Sequence, residues 1–106
     1  MTNMSIRFYG QLRNIPQDAR PRIRELFRDF ELYEQENALD FEYEGMYMDH
    51  EPYLEQIQAI LGEQANGQVD LIDLIEWKMF RYVIEQGTIT EHAIPLNEVL
   101  EKYNTE

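Results

Sequence analysis

Residues 38–48 alternate between two kinds of side chain, and this pattern constrains the fold more than any other feature of the chain. A repeat of two over ten residues predicts a β-strand with one buried aromatic face and one acidic face. The apolar set is Leu39, Phe41, Tyr43, Gly45 and Tyr47, and the alternating set is Asp40, Glu42, Glu44, Met46 and Met48. A sheet with one covered side and one polar side follows from this pattern.

Two segments have the spacing of amphipathic helices. The first is predicted to begin at Asp18 as its N-cap, to hold Pro21 in its first turn and to run to about Tyr33. Its apolar stripe is Ile23, Leu26, Phe27 and Phe30, and a different face carries Arg20, Arg24 and Arg28. The second helix is predicted to begin after Asp49, with Pro52 in its first turn, and to end at Gly62.

The stretch 69–84 is compatible with two strands or with one helix. Strands are favoured, over 69–75 and 77–84, because Thr88–Ala93 after the Gln86-Gly87 turn resembles a strand that needs a neighbour. Trp77 is then expected in the core. A first strand is predicted at 4–9, and Asn97 is predicted to cap a short last helix.

These elements give the order β-α-β-α-β-β-β-α within one domain, 1–106. The predicted class is α+β, with a mostly antiparallel sheet of four to five strands. Two main helices are expected on one face of the sheet, together with a short C-terminal helix.

Composition excludes several classes of function. The chain has no cysteine, one serine (Ser5) and five isolated glycines, which argues against thiolate or serine nucleophiles and against phosphate-binding glycine loops. A net charge of −12 disfavours direct binding to nucleic acids or to anionic membranes. No apolar segment is long enough to span a bilayer, and the N-terminus lacks the apolar core of a signal peptide. We expect a cytoplasmic protein without cofactor, metal or catalytic residues.

The charge is distributed unevenly along the chain. Residues 1–28 carry six arginines against two carboxylates, whereas residues 29–106 carry three cations against nineteen carboxylates. Such asymmetry marks an interaction surface, or it means that the two segments face each other within one fold.

Two charged surfaces are therefore candidates for interaction, although both also fit ordinary solvated faces. The first is the acidic row Glu31, Glu34, Glu36, Asp40, Glu42 and Glu44, and the second is the basic stripe Arg20, Arg24 and Arg28. Contact between the row of one copy and the stripe of another would give a homodimer. Because exposed ion pairs contribute only about 0–1 kcal/mol each, apolar side chains such as Met46 and Met48 would have to supply affinity.

The leading hypothesis is a small, acidic, non-enzymatic interaction protein. Its acidic face would bind a basic surface of a protein partner, in the manner of an inhibitor or a nucleic-acid mimic. One alternative is a small metal- or ligand-binding enzyme that uses Asp49-His50-Glu51, although helix capping by Asp49, a dipole contact by Glu51 and an exposed His50 also explain that cluster. Another alternative is a housekeeping domain of a salt-adapted organism.

Overall fold

A central strand organises the structure, which is a computed structural model that describes residues 5–96. Strand β1 (Ile6–Arg13) pairs antiparallel with β3 (Ala38–Gly45) on one side and with β4 (Gly67–Asp73) on the other. Strand β2 (Glu31–Glu34) extends the sheet beyond β3, and β5 (Lys78–Glu85) and β6 (Thr88–Ile94) extend it beyond β4. The sheet therefore has six antiparallel strands in the order β2-β3-β1-β4-β5-β6.

Two helices connect strands that are not neighbours in the sheet. Helix α1 (Arg20–Leu26) links β1 to β2, and helix α2 (Glu51–Leu61) links β3 to β4. Each β-α-β unit is thus split by a strand of the other unit, which is the ferredoxin-like arrangement. The hairpin β5–β6 is added to this four-stranded unit at the β4 edge.

Five aromatic rings fill the space between the helices and the sheet. Phe27 stacks on Phe41 with ring centroids 4.1 Å apart, and Phe30 meets Phe27 edge-on at 5.0 Å. Phe8 and Tyr53 complete this aromatic cluster, and the three rings of Phe8, Phe27 and Phe41 are almost fully inaccessible to solvent. Burial on this scale dominates the stability of a domain and holds both helices on the same face of the sheet.

The predicted first helix is too long, because it ends at Leu26 and not near Tyr33. Its apolar stripe is buried as expected at Ile23 and Phe27. After a turn, residues 31–34 pair with 39–42 as β2. Pairing with the neighbouring strand overrides the helical spacing, since tertiary context outweighs the weak local preference of so short a segment.

This difference changes the predicted order and strand count. The observed order over the described residues is β-α-β-β-α-β-β-β with six strands, and the expected four to five strands omitted β2. Asp18 is not the N-cap, since it lies in a 3₁₀ turn (Gln17–Ala19) that precedes α1. The strand predicted over 38–48 stops at Gly45, after which the chain turns towards α2.

Residues 67–85 form two strands, which confirms the favoured interpretation of the ambiguous segment. The tight turn after β5 has positive φ at Gln86 (50°) and at Gly87 (84°), as expected for a two-residue hairpin. The predicted position of Trp77 is wrong, because it lies in the β4–β5 turn and is 47% exposed. In α2, the early Pro52 and the ending at Gly62 agree with the prediction. The start of the first predicted strand at Met4 and the helix capped by Asn97 lie outside the described residues.

Arg20 connects α1 to the β2–β3 turn. Its guanidinium is buried and donates hydrogen bonds to the Glu34 carboxylate (3.2 Å) and to the carbonyl oxygens of Gln35 (3.1 Å) and Glu36 (2.7 Å). Hydrogen bonds from a charged donor are stronger than neutral ones, and buried acceptors lose free energy when they have no donor. Arg20 therefore fixes the edge hairpin against the helix.

We expect Arg20→Met to lower the free energy of unfolding by about 2–3 kcal/mol, because three hydrogen bonds from a buried charged donor are lost. Urea unfolding followed by circular dichroism measures the change. Arg22→Met, at an exposed position on the same helix, is the control and should leave the midpoint nearly unchanged. Equal midpoints for the two variants would contradict the role given to Arg20.

Candidate interaction surface

The face of the sheet opposite the helices carries polar and charged side chains across all six strands. We call it the open face. In an antiparallel pair, directly opposed residues project to the same side, so the strand register defines rows across the sheet. The central row consists of Glu31, Glu42, Tyr9, Asp70, Arg81 and His92.

Glu31 and Glu42 are directly opposed in the register of β2 and β3. Two like charges in such a cross-strand pair destabilise a sheet. The Tyr33 hydroxyl donates a hydrogen bond to Glu31 (2.9 Å), and this bond together with the carboxylate charge raises the pKa of Tyr33. The edge of the sheet thus holds a charge arrangement that the fold itself does not require.

Arg7 neutralises part of the acidic row, and a side-chain amide hydrogen-bonds another part. Arg7 contacts Glu42 at 2.9 Å and Glu44 at 3.6 Å. The Gln11 side-chain amide donates a hydrogen bond to Asp40 (2.8 Å), which leaves the carboxylate its full negative charge. One guanidinium thus serves two carboxylates, and β2 and β3 keep an excess of negative charge on the open face.

The centre of the open face is a rigid, satisfied ion pair. Asp70 is only 4% exposed and accepts two hydrogen bonds from Arg81, at 2.9 and 3.2 Å. Burial, and next the neighbouring Asp70 carboxylate, raise the pKa of Tyr9. The Arg7 guanidinium lies 4.5 Å from the Tyr9 ring centroid, in a cation–π contact. These groups lie on the open face beside the acidic residues of β3 and are held in place by one another.

Two shallow hollows share Glu42 on this side of the sheet. The larger, of about 580 Å³, is lined mainly by polar side chains of β1, β3 and β4, among them Tyr9, Asp40 and Asp70. The smaller, of about 400 Å³, has four carboxylates around it: Asp29, Glu31, Glu42 and Glu44. Concave surfaces lined by one sign of charge concentrate the electrostatic potential and attract the opposite sign.

The structure divides the predicted acidic row among three places. The side chains of Asp40, Glu42 and Glu44 project from the open face, as the alternating pattern predicts, and Glu31, which was predicted in the first helix, joins them from β2. Glu34 projects to the helix side, and Glu36 lies in the β2–β3 turn. The row is therefore continuous only over its four open-face members.

The basic stripe contacts acidic residues of the same chain. Arg24 donates two hydrogen bonds to Glu34, at 2.6 and 3.1 Å, and Arg20 binds the same carboxylate. Arg28 lies just beyond the end of α1, not on the helix as predicted, and pairs with Glu25 at 2.8 Å. Two of the three arginines thus bridge the basic and acidic segments within one fold, which is one of the two explanations that the charge asymmetry allows.

A second polar cluster lies between α2 and the β5–β6 hairpin, and the sequence pattern did not indicate it. His50 Nε2 is 2.8 Å from the Tyr82 hydroxyl, which donates a hydrogen bond to Glu91 (2.9 Å). Since Tyr82 has one proton and gives it to Glu91, His50 Nε2 is the donor to the Tyr82 oxygen. Burial and the Glu91 carboxylate raise the pKa of Tyr82.

This cluster includes His50 but does not assemble the whole Asp49-His50-Glu51 triplet. The Asp49 carboxylate accepts a hydrogen bond from the Glu51 amide (3.1 Å) at the start of α2, whereas His50 turns towards Tyr82 and is not the exposed residue that was expected. Within residues 5–96, no group of three histidine or carboxylate side chains is arranged to hold a metal ion. No described helix is both long and apolar enough to cross a membrane.

Comparisons of this chain with protein-family models, with curated proteins and with solved structures find no match.

We expect Glu34→Gln to weaken the loss of stability in acid. The hydrogen bond from Arg24, more than any other contact, lowers the pKa of Glu34 from 4.5. The contribution of the ionised Glu34 to the free energy of unfolding is therefore complete above pH 4.5. The contribution is lost as the pH falls through the lower pKa of the folded state. Urea midpoints measured between neutral pH and about pH 3 should fall less in Glu34→Gln than in Glu36→Gln. Identical slopes for the two variants would contradict this assignment.

We expect Glu31→Gln to stabilise the protein, by about 0.5 kcal/mol, because it removes a like-charge pair while the amide oxygen still accepts from Tyr33. The urea midpoint at low salt measures this gain, which added salt should reduce. Glu63→Gln, an exposed carboxylate away from the sheet, is the control and should give no gain. A lower urea midpoint for Glu31→Gln would show that the opposed carboxylates do not destabilise the protein.

Proposed function

We propose that this chain is a small, non-enzymatic interaction protein that binds a basic surface of a protein partner through the open face. The single observation that supports the proposal best is the opposed pair Glu31 and Glu42, at the rim of a hollow with two further carboxylates. Sequences tend to break a local rule of stability where a surface has a function. A cationic side chain from a partner would convert this repulsion into attraction.

The shape of the surface favours a macromolecular partner. Both hollows on the open face are wide and shallow, and neither encloses a small molecule as a typical ligand pocket does. Arginine side chains suit carboxylates because they bind them through two parallel hydrogen bonds. Long-range attraction by the net charge of −12 would also increase the rate of association with a basic partner.

Nucleic acid is disfavoured as a direct ligand of this face. RNA-binding domains with a four-stranded sheet stack bases on aromatic side chains of the sheet. Here β1 presents Tyr9, but β3 presents Asp40, Glu42 and Glu44, which would repel phosphates. Regularly spaced carboxylates instead resemble a row of phosphates, so an inhibitor of a nucleic-acid-binding protein fits the proposal.

The hydrogen bonds of Asp70 and of the Tyr82 hydroxyl within the chain support a role in binding and not in catalysis. Asp70 is held by Arg81, and Tyr82 by His50 and Glu91. A general acid or base needs a proton position that is available to a substrate. Hydrogen bonds between protein groups occupy that position at Asp70 and at the Tyr82 hydroxyl, and His50 Nδ1 is buried away from solvent.

A synthetic peptide of alternating arginine and serine tests the proposal. At low salt, we expect peptide-induced shifts of backbone amide NMR signals to concentrate on β1, β2 and β3, and to disappear at about 0.5 M salt. An open-face variant with Glu31→Gln, Asp40→Asn and Glu42→Gln should bind the peptide at least about tenfold more weakly.

The matched control loses the same charge on the helix side. It carries Glu25→Gln, Glu55→Gln and Glu63→Gln, at exposed positions in or beside the helices. We expect this variant to bind almost as tightly as the wild type. Equal weakening of the two variants would show that the peptide responds to total charge only, and the proposal would then be wrong.

A further inference from the structure

The large apolar side chains that are most exposed are concentrated at one end of the sheet. Among residues 5–96, six large hydrophobic side chains are strongly exposed, and Tyr33 is the only one away from this end. The other five, which are 38–72% exposed, are Met46, Tyr47, Leu74, Ile75 and Trp77. We call these five residues the apolar end patch. A concentration of exposed apolar side chains at one end of a sheet is typical of an interaction site.

The backbone brings the two parts of the patch to the same place. Ser5 donates its amide to the Gly45 carbonyl (2.7 Å), immediately before Met46. The Ser5 carbonyl accepts from the Leu74 amide (2.8 Å), at the start of the other loop. The β3–α2 loop and the β4–β5 turn are therefore fixed on either side of one residue.

The side chain of Asp73 also orders the β4–β5 turn. Asp73 accepts hydrogen bonds from the amides of Ile75 (3.0 Å) and Glu76 (2.9 Å). Trp77 follows with a φ of +59°, a conformation that is unusual for a bulky residue and that costs free energy. A preorganised turn that presents exposed apolar side chains loses little entropy when a partner covers it.

The charges around the patch indicate which kind of partner fits. Glu44 and Asp49 flank the first loop, Asp73 ends β4 and Glu76 lies in the turn; the cations that the structure describes at this end are Lys78 and Arg7, which contacts Glu44. A second copy would place these carboxylates against one another, at a net charge of −12 per chain. A partner surface with an apolar centre and a basic rim would complement both the exposed apolar side chains and the carboxylates around them.

We propose that the apolar end patch is the anchoring part of the interface, and that it takes apolar side chains of the same basic protein partner. This inference rests on the proposed function of the open face, since it assigns affinity to the patch and attraction to the carboxylates. Glu44, the last acidic residue of β3, lies two residues before Met46, so the open face and the patch are neighbours along the chain.

The experiment compares two peptides of equal length and charge. One alternates arginine and serine, and in the other some of the serines are leucines. We expect the wild-type protein to bind the leucine peptide at least about tenfold more tightly, by titration calorimetry, because each leucine buries apolar area on the patch. In a Met46→Ser, Ile75→Ser variant this ratio should fall to about one.

The control removes an exposed apolar side chain from the open face. Tyr33→Ser should leave the leucine-to-serine ratio unchanged, and urea unfolding should show that both variants stay folded. A ratio near one in the wild type, or an unchanged ratio in the patch variant, would overturn the inference while the arginine–serine peptide still tests the open face. If neither peptide binds, both proposals are wrong. A wild-type dimer that the patch variant disrupts, by sedimentation, would assign the patch to a second copy.

Discussion

Packing of the aromatic cluster against one side of the sheet determines what the rest of the molecule is free to do. Phe27 and Phe41 stack at 4.1 Å, and the surrounding rings join both helices to β1 and β3. Because the core covers this side of the sheet, only the open face, the strand edges and the loops are accessible to a partner. The same alternation that buries Phe41 places the half-buried Glu42 on the open face, so core and proposed interaction surface arise from a single sequence pattern.

The acidic surface is best understood as a balance between stability and binding. Glu31 and Glu42 oppose each other in the sheet register, and Arg7 is shared between Glu42 and Glu44. This like-charge repulsion costs little free energy compared with the stabilisation from burying several aromatic rings, so the fold remains stable. The proposed partner would supply the missing cations and would also cover the apolar end patch. The acidic face would then steer association, and the patch would slow dissociation.

Much of the sheet could be predicted from the sequence, because a period of two is unambiguous over ten residues, as at 38–48. The four-residue strand β2 could not, since its pattern is too short to compete with the helical spacing before it, and pairing with β3 decides its structure. For the candidate site, periodicity predicted the outward direction of Asp40 and Glu42 but not the strand order that opposes Glu31 to Glu42. The contact of His50 with Tyr82 depends on the approach of α2 to β5, which no local pattern encodes.

The most direct test of the central claim, that repulsion is concentrated on the open face, is the salt dependence of the free energy of unfolding. Wild type and the variant with Glu31→Gln, Asp40→Asn and Glu42→Gln would be unfolded with urea over a range of KCl concentrations up to about 1 M, where charges are strongly screened. We predict that salt stabilises the wild type and that most of this gain is absent from the variant. An equal gain in stability in both proteins would show that the repulsion is spread over the whole surface, as in a salt-adapted housekeeping domain. That result would contradict the account.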